Sequence, residues 1–142
     1  MLNFFNKDEE KAIITAIQQA EANTSGEIRV HIEDKLKRAV LKEASLVFKR
    51  LRMHKTKARN GVLLLIAPND KQFAIIGDKG IHALVETNFW DNERNILQEH
   101  FRKGAFCGGI CAVIHAVGEK LKSDFPAESD DVNELPDEIS YS

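Results

Sequence analysis

The sequence has few residues that staple, break or anchor a chain: two cysteines, three prolines, one tryptophan and one tyrosine in 142 residues. Cys107 and Cys111 stand four apart, which is no disulfide framework and suits a reducing compartment. No apolar stretch approaches the ~20 residues that span a bilayer. The longest, Val62–Ala67, is strand-sized. The first residues, Met1-Leu2-Asn3-Phe4-Phe5, lack the basic segment and long apolar core of a signal peptide, so a cytoplasmic protein is expected. C-x5-R, a D-x-D after a strand, G-x-S-x-G, H-E-x-x-H and the P-loop are all missing, which removes the common signatures of nucleophilic, zinc-dependent and nucleotide-binding enzymes.

What is present is one domain's worth of core. At 16.0 kDa, with 43% hydrophobic and 30% charged residues, the chain is long enough to bury a single core and too apolar to be wholly disordered. The net charge of −2 hides a division. Residues 35–59 hold ten basic side chains and one acidic one, Glu43, a local +9 set in a body of −11. Residues 127–142 carry six acidic side chains and no basic one. That composition predicts a mostly flexible or loosely docked acidic tail after a folded unit over residues 1–126.

Periodicity supplies the elements. Asn6 and Glu9 form a capping-box pair ahead of a helix that places Ile13, Ile17 and Ala20 on one face. Glu27–Glu33 alternates strictly, with Ile28, Val30 and Ile32 on one side and Glu27, Arg29, His31 and Glu33 on the other. This predicts a strand with one apolar face. Asp34 can cap a second helix over residues 35–54, with Leu36, Val40, Ala44, Val47 and Leu51 inward. Val62–Ala67 is continuous enough to be a strand buried on both faces. Pro68-Asn69-Asp70-Lys71 turns into a third strand, Gln72–Ile76. A short helix around Ile81–Val85, a helix from Asp91 to about Phe101, and a last helix with Phe106, Ile110, Val113, Val117 and Leu121 on one stripe complete the order, ended by Pro126. Trp90 is expected to anchor the helix layer. The β-α-β unit plus an antiparallel hairpin strand, with helices on both faces, predicts a three-layer α/β/α sandwich around a small mixed sheet.

That topology gathers polar loops at two edges. Ser25-Gly26-Glu27, Arg59-Asn60-Gly61 and Gly77-Asp78-Lys79-Gly80 meet where the parallel strands begin. Carboxylate, amide and backbone oxygens suit a hard cation, Ca²⁺ or Mg²⁺, with Glu27, Asn60 and Asp78 as ligands and Arg59 left for an anion. The same groups could instead be structural, with Arg59 bridging to Glu27 and Asp78 capping the short helix. The opposite edge offers Glu33, Asp34, Asn69 and Asp70, at the carboxyl ends that open parallel sheets usually use.

Two further groups carry weaker chemistry. Cys107, Cys111 and His115 fall on one helical stripe and could hold a soft metal, but no fourth ligand is apparent and buried cysteine is ordinary core. His31 and His82 are expected to be surface histidines. The basic helix is expected to be a solvated face, neutralised by the acidic tail. It has no nucleic-acid signature or stacking aromatics, and no Trp or Phe for membrane insertion, although an acidic protein or a membrane surface could meet it through residues 35–54.

The loops just named also carry a resemblance. Ser25-Gly26-Glu27-Ile28-Arg29-Val30, Arg59-Asn60-Gly61-Val62-Leu63-Leu64-Leu65-Ile66, Ile75-Ile76-Gly77-Asp78-Lys79-Gly80-Ile81 and Phe101-x-x-Gly104-x-Phe106-x-x-Gly109-Ile110 resemble, in series, the TPM domain over residues 8–126. The Asn133-Glu134-Leu135-Pro136 segment is similar to that of small stand-alone bacterial members. The resemblance implies an α/β/α sandwich, Ca²⁺ or other divalent ions bound in loops in some bacterial members, and acid phosphatase activity in plant members. For this chain it would make Asp78 and Arg59 the candidate catalytic pair of a metal-assisted phosphatase. It also implies a functional link to LemA-type membrane proteins.

Overall fold

The computed structural model describes residues 4–82, 89–127 and 135–142. Helix α1 (Lys7–Glu21) opens on the expected capping box. The Asn6 side chain accepts the Glu9 N–H at 2.8 Å, and Glu9 accepts the Asn6 N–H at 3.0 Å. Strand β1 (Glu27–Ile32) follows, then α2 (Val40–Arg50), β2 (Gly61–Ala67) and β3 (Gln72–Gly77). A single turn, α3 (Lys79–His82), precedes α4 (Asp91–Arg102) and α5 (Phe106–Asp124), and β4 (Ser140–Tyr141) comes last. The part of the expected short helix after His82 lies outside the described residues.

The sheet order is β3-β2-β1-β4. β1 runs parallel to both β2 and β4, and β2 pairs antiparallel with β3. The expected mixed β-α-β unit with its hairpin strand is therefore present. Three layers result. α1, α4 and α5 pack over one face of the sheet around Ile28, Val30, Ile32, Val62, Leu64 and Ile66. Trp90 is buried in that layer. α2 covers the other face, over Leu63, Leu65 and Ala74.

Four expectations change. The second helix is shorter than 35–54 and is not capped by Asp34, which stands six residues before its first turn and whose carboxylate accepts from Asn69 Nδ2 at 3.2 Å instead. α2 starts at Val40 with no side-chain cap at Ala39, and Met53–Lys55 is a separate 3-10 turn. β1 is not a half-exposed strand: all six of its residues are buried. His31, expected at the surface, is 1% exposed. The cause of both is the C-terminal segment. Far from being a loose tail throughout, residues 135–142 lie along β1. Leu135 and Ile139 are buried, Ser140 and Tyr141 pair with His31 and Ile32, and the Tyr141 hydroxyl reaches Glu10 of α1.

Leu135 sits in the α2-side core and approaches Gly61. Leu135→Ala should therefore lower the unfolding free energy by about 2 kcal/mol or more, as for other buried leucines. Urea denaturation reads this. An unchanged midpoint would mean that the segment is not docked in solution.

Candidate functional site

The start of β1 is assembled from four parts of the chain. α5 delivers Phe125, whose carbonyl accepts the Ser25 N–H at 2.9 Å and the Thr24 hydroxyl. Thr24 Oγ1 in turn accepts the Gly26 N–H at 3.0 Å. The Asn60 side chain, almost fully buried, donates to Ser25 Oγ at 3.2 Å. The backbone carbonyl of Asn60 accepts the Glu27 N–H at 3.4 Å. The Glu27 carboxylate, buried as well, accepts the backbone N–H of Leu135. Glu27 and Asn60 thus come together as expected.

Asp78 does not join them. It ends β3, two strands away from β1 in the sheet order, and Arg59 grips it with both arms. Arg59 Nε donates to Oδ2 at 2.7 Å and Nη2 to Oδ1 at 2.8 Å. Oδ1 also caps the Lys79 N–H at 2.8 Å. The expected Arg59–Glu27 bridge is replaced by this fork, which raises the Arg59 pKa further still. Arg59 holds the position with a left-handed backbone, φ 52°. Gly80 passes so close that a Cβ there would lie 2.5 Å from the carbonyl oxygens of Ala58 and Arg59. Asp78 and Arg59, the pair a phosphatase reading would use, spend their charges on each other.

Two other carboxyl groups at this edge carry no local sequence signal. Glu21, in the last turn of α1, accepts the Ile28 N–H at 2.9 Å. Its carboxyl is also hydrogen-bonded to that of Asp137, with Glu27 close enough to repel it. Burial first, then the Asp137 hydrogen bond and the charges of Asp137 and Glu27, push Glu21 up to about 9, against the opposing pull of the Ile28 N–H. Glu21, Glu27 and Asp137 are three acidic side chains converging on the beginning of one strand.

At the carboxyl edge the four expected residues are near one another but are engaged in holding the crossover loop. Asn69 Nδ2 donates to the Asp34 carbonyl at 3.1 Å and to its Oδ1 at 3.2 Å. Asp70 accepts the Leu36 N–H at 2.9 Å. Glu33 accepts from Ser142 Oγ at 2.9 and 3.0 Å and faces His31 Nε2 at 3.2 Å. The other His31 nitrogen meets Ser140 Oγ at 2.7 Å. Beside them is a cavity of about 380 Å³ bounded by Glu33, Asp34, Glu43, Lys35, Lys37, Arg38, Arg50 and Ser142, a mixed lining with four cations against three carboxylates.

The cysteine stripe lies between α1 and α5. Cys111 and His115 border a groove there, and Cys107 Sγ contacts the Glu9 carbonyl at 3.8 Å. Burial pushes the Cys111 thiol up to about 11 and raises Cys107 too, which keeps both as protonated, unreactive thiols. Among the described residues no group of three or more His, Cys, Asp or Glu side chains is arranged to hold a metal ion. No described helix is long and apolar enough to cross a membrane.

Three layers around a mixed four-stranded sheet, with polar loops drawn to the strand ends, define the class: a small α/β/α sandwich domain. Within it, the family model for the TPM domain matches residues 2–120, and the chain belongs to that family. The NMR structure of BA42 protein from the psychrophilic bacterium Bizionia argentinensis is similar end to end, with 46% identity, a TM-score of 0.94, and 100% of this chain and 98% of that one covered. The N-terminal domain of the cg2496 protein from Corynebacterium glutamicum shares the fold at 15% identity, with a TM-score of 0.69 over 92% of this chain and 82% of that one. A comparison with curated proteins finds no match.

His31 supplies a test of the buried row. Burial lowers its pKa, with the Arg50 and Arg29 charges adding to the effect and Glu33 opposing it. The unfolded chain then binds the proton more readily, so stability is present above about pH 6.5 and is lost as pH falls toward the lower folded value. His31→Gln should flatten this acid limb in thermal melts across about pH 5–7. An identical limb in wild type and variant would remove His31 as its source.

Proposed function

We propose that the protein is a divalent-cation-binding TPM domain whose ion, Ca²⁺ or Mg²⁺, sits where β1 begins, held by Glu21, Glu27 and Asp137, which as they stand are not arranged as a metal-ligand group and would draw together around it. The supporting observation is the setting of Glu21: a half-buried carboxyl that accepts the Ile28 N–H at 2.9 Å and is held protonated by burial and by the neighbouring Asp137 and Glu27 carboxyls. A proton bridges acids that repel each other when ionised. A hard cation replaces that proton, and an all-oxygen donor set is the kind that Ca²⁺ and Mg²⁺ take. Three carboxylates do not fill a Ca²⁺ shell of six to eight oxygens, so backbone oxygens and water complete it. The chain leaves this edge at Phe125 and returns to it at Leu135. The sequence between carries Glu128, Asp130, Asp131 and Glu134.

Relative to the expected ligand set, this reading keeps Glu27, puts Asn60 in a supporting place beside it, and replaces Asp78 with Glu21 and Asp137. The role is binding or regulation, with the ion fastening the C-terminal segment to the sheet.

The test follows from the displaced proton. In the folded protein Glu21 keeps its proton to about pH 9, and in the unfolded chain only to about 4.5. Without cation, stability therefore falls as pH rises between those values. Added Ca²⁺ should raise the melting temperature most at the alkaline end, and calorimetry in buffers of different ionisation enthalpy should show proton release. Glu21→Gln should melt above wild type at about pH 8 without ion and should lose the ion's effect. Ca²⁺ and Mg²⁺ that leave the melt unchanged, or that bind Glu21→Gln at wild-type affinity, would overturn the assignment.

A further inference from the structure

The solvent side of α2 is unlike the rest of the surface. Leu41 is 61% exposed and Leu46 49% exposed, and they are the large hydrophobics that the described surface leaves open. Both lie on one side of the helix. Residues 41, 42, 45, 46, 49 and 50 face solvent, while Glu43, Ala44, Val47 and Phe48 are buried beneath. Around the helix a 3.6-residue repeat places Ser45, Lys49 and Lys42 between the two leucines, with Arg50 beyond Leu46.

The charge around them is of one sign. Nine of the ten basic side chains in residues 35–59 are exposed. Glu43, the block's one carboxylate, is turned inward and paired with Arg38 at 2.7 Å. The acidic C-terminal segment does not neutralise this face where it is described. Asp137 lies against Glu21, the charges of Asp137 and Glu138 act on Arg29, Leu135 packs into the core beneath α2, and the Ser142 hydroxyl accepts from Arg50 at 3.1 Å. Among the described residues the tail pairs with β1 rather than making the charge contact with the helix expected from composition; the expected contacts of residues 128–134 lie outside the described residues.

We infer that this face of α2 docks on an anionic lipid bilayer, with Leu41 and Leu46 entering the headgroup–acyl boundary and the surrounding lysines and arginines meeting the lipid phosphates. The arrangement decides for a bilayer over an acidic protein. The core of a protein–protein interface is depleted in lysine, and here Lys42 and Lys49 stand between the two leucines. At a bilayer surface that interleaving is favourable, because the lysine stems lie along apolar surface while their ammonium groups rise to the phosphates. The leucines supply the insertion that the missing aromatic residues had excluded at the level of sequence.

Co-sedimentation with phosphatidylcholine vesicles, with and without phosphatidylglycerol, tests this in EDTA, so that the outcome does not depend on the cation reading. Wild type should pellet with the anionic vesicles and stay in solution with the neutral ones. Lys42→Glu with Lys49→Glu should weaken binding by about tenfold or more, since each basic residue at an anionic surface contributes appreciably. Leu41→Ser with Leu46→Ser should weaken it severalfold at an unchanged melting temperature, both side chains being exposed. Three results would overturn the inference: no binding of wild type to anionic vesicles, leucine variants that pellet like wild type, or a preference for soluble poly-glutamate over vesicles at equal charge, which would give the face to an acidic protein.

Discussion

Everything on the α2 side of the sheet depends on one awkward requirement: β1 buries four polar side chains in a row. Glu27, Arg29, His31 and Glu33 alternate with Ile28, Val30 and Ile32 and are nearly as inaccessible as they are. An unpartnered polar group in such a place costs about 1–3 kcal/mol, so the row persists only because something satisfies it. The backbone of Leu135 meets Glu27, the carbonyl of Glu138 meets Arg29 Nη2 while Arg29 Nε stays buried without a partner, and Ser140 and Ser142 meet His31 and Glu33. The segment that closes the sheet and the segment that neutralises the row are the same eight residues.

This is also where local sequence patterns stop being informative. The alternation of β1, the continuous Val62–Ala67 run and the stripe of α5 are each written in neighbouring residues, and elements with such patterns were legible with their order and layers. β4 has two residues and leaves no period to read. Leu135 and Ile139 lie in an acidic stretch whose composition argues for solvent. The strict alternation of β1 marks a strand, but polar there does not mean exposed, because the covering residues come from the far end of the chain.

The candidate site divides the same way. Gly26, Asn60 and Gly80 mark tight loop crossings, and the first two, with Glu27, were legible as a meeting point. The Arg59–Asp78 fork depends on which carboxylate lies within reach of a left-handed arginine, which spacing alone does not decide. Glu21 looked like any acid at the end of an amphipathic helix. Its altered chemistry comes from Asp137, a residue with no sequence relation to it. Charge is separated in space as well as along the chain: the acidic convergence belongs to the start of β1, and the exposed basic surface belongs to α2, which packs on one side of the sheet.

The parallel pairing of β1 with β4 also imposes an order of assembly. β1, β2 and β3 lie within about fifty residues of one another and can pair early, whereas the closing strand lies more than a hundred residues after β1. Until it arrives, one edge of β1 has open hydrogen-bonding positions beside an unsatisfied polar row. Distant contacts of this kind form late and slowly. During synthesis, then, the nascent sheet carries an edge too polar to attract a passing apolar strand and too incomplete to be stable, and it waits for the one segment whose hydroxyls and amides match it.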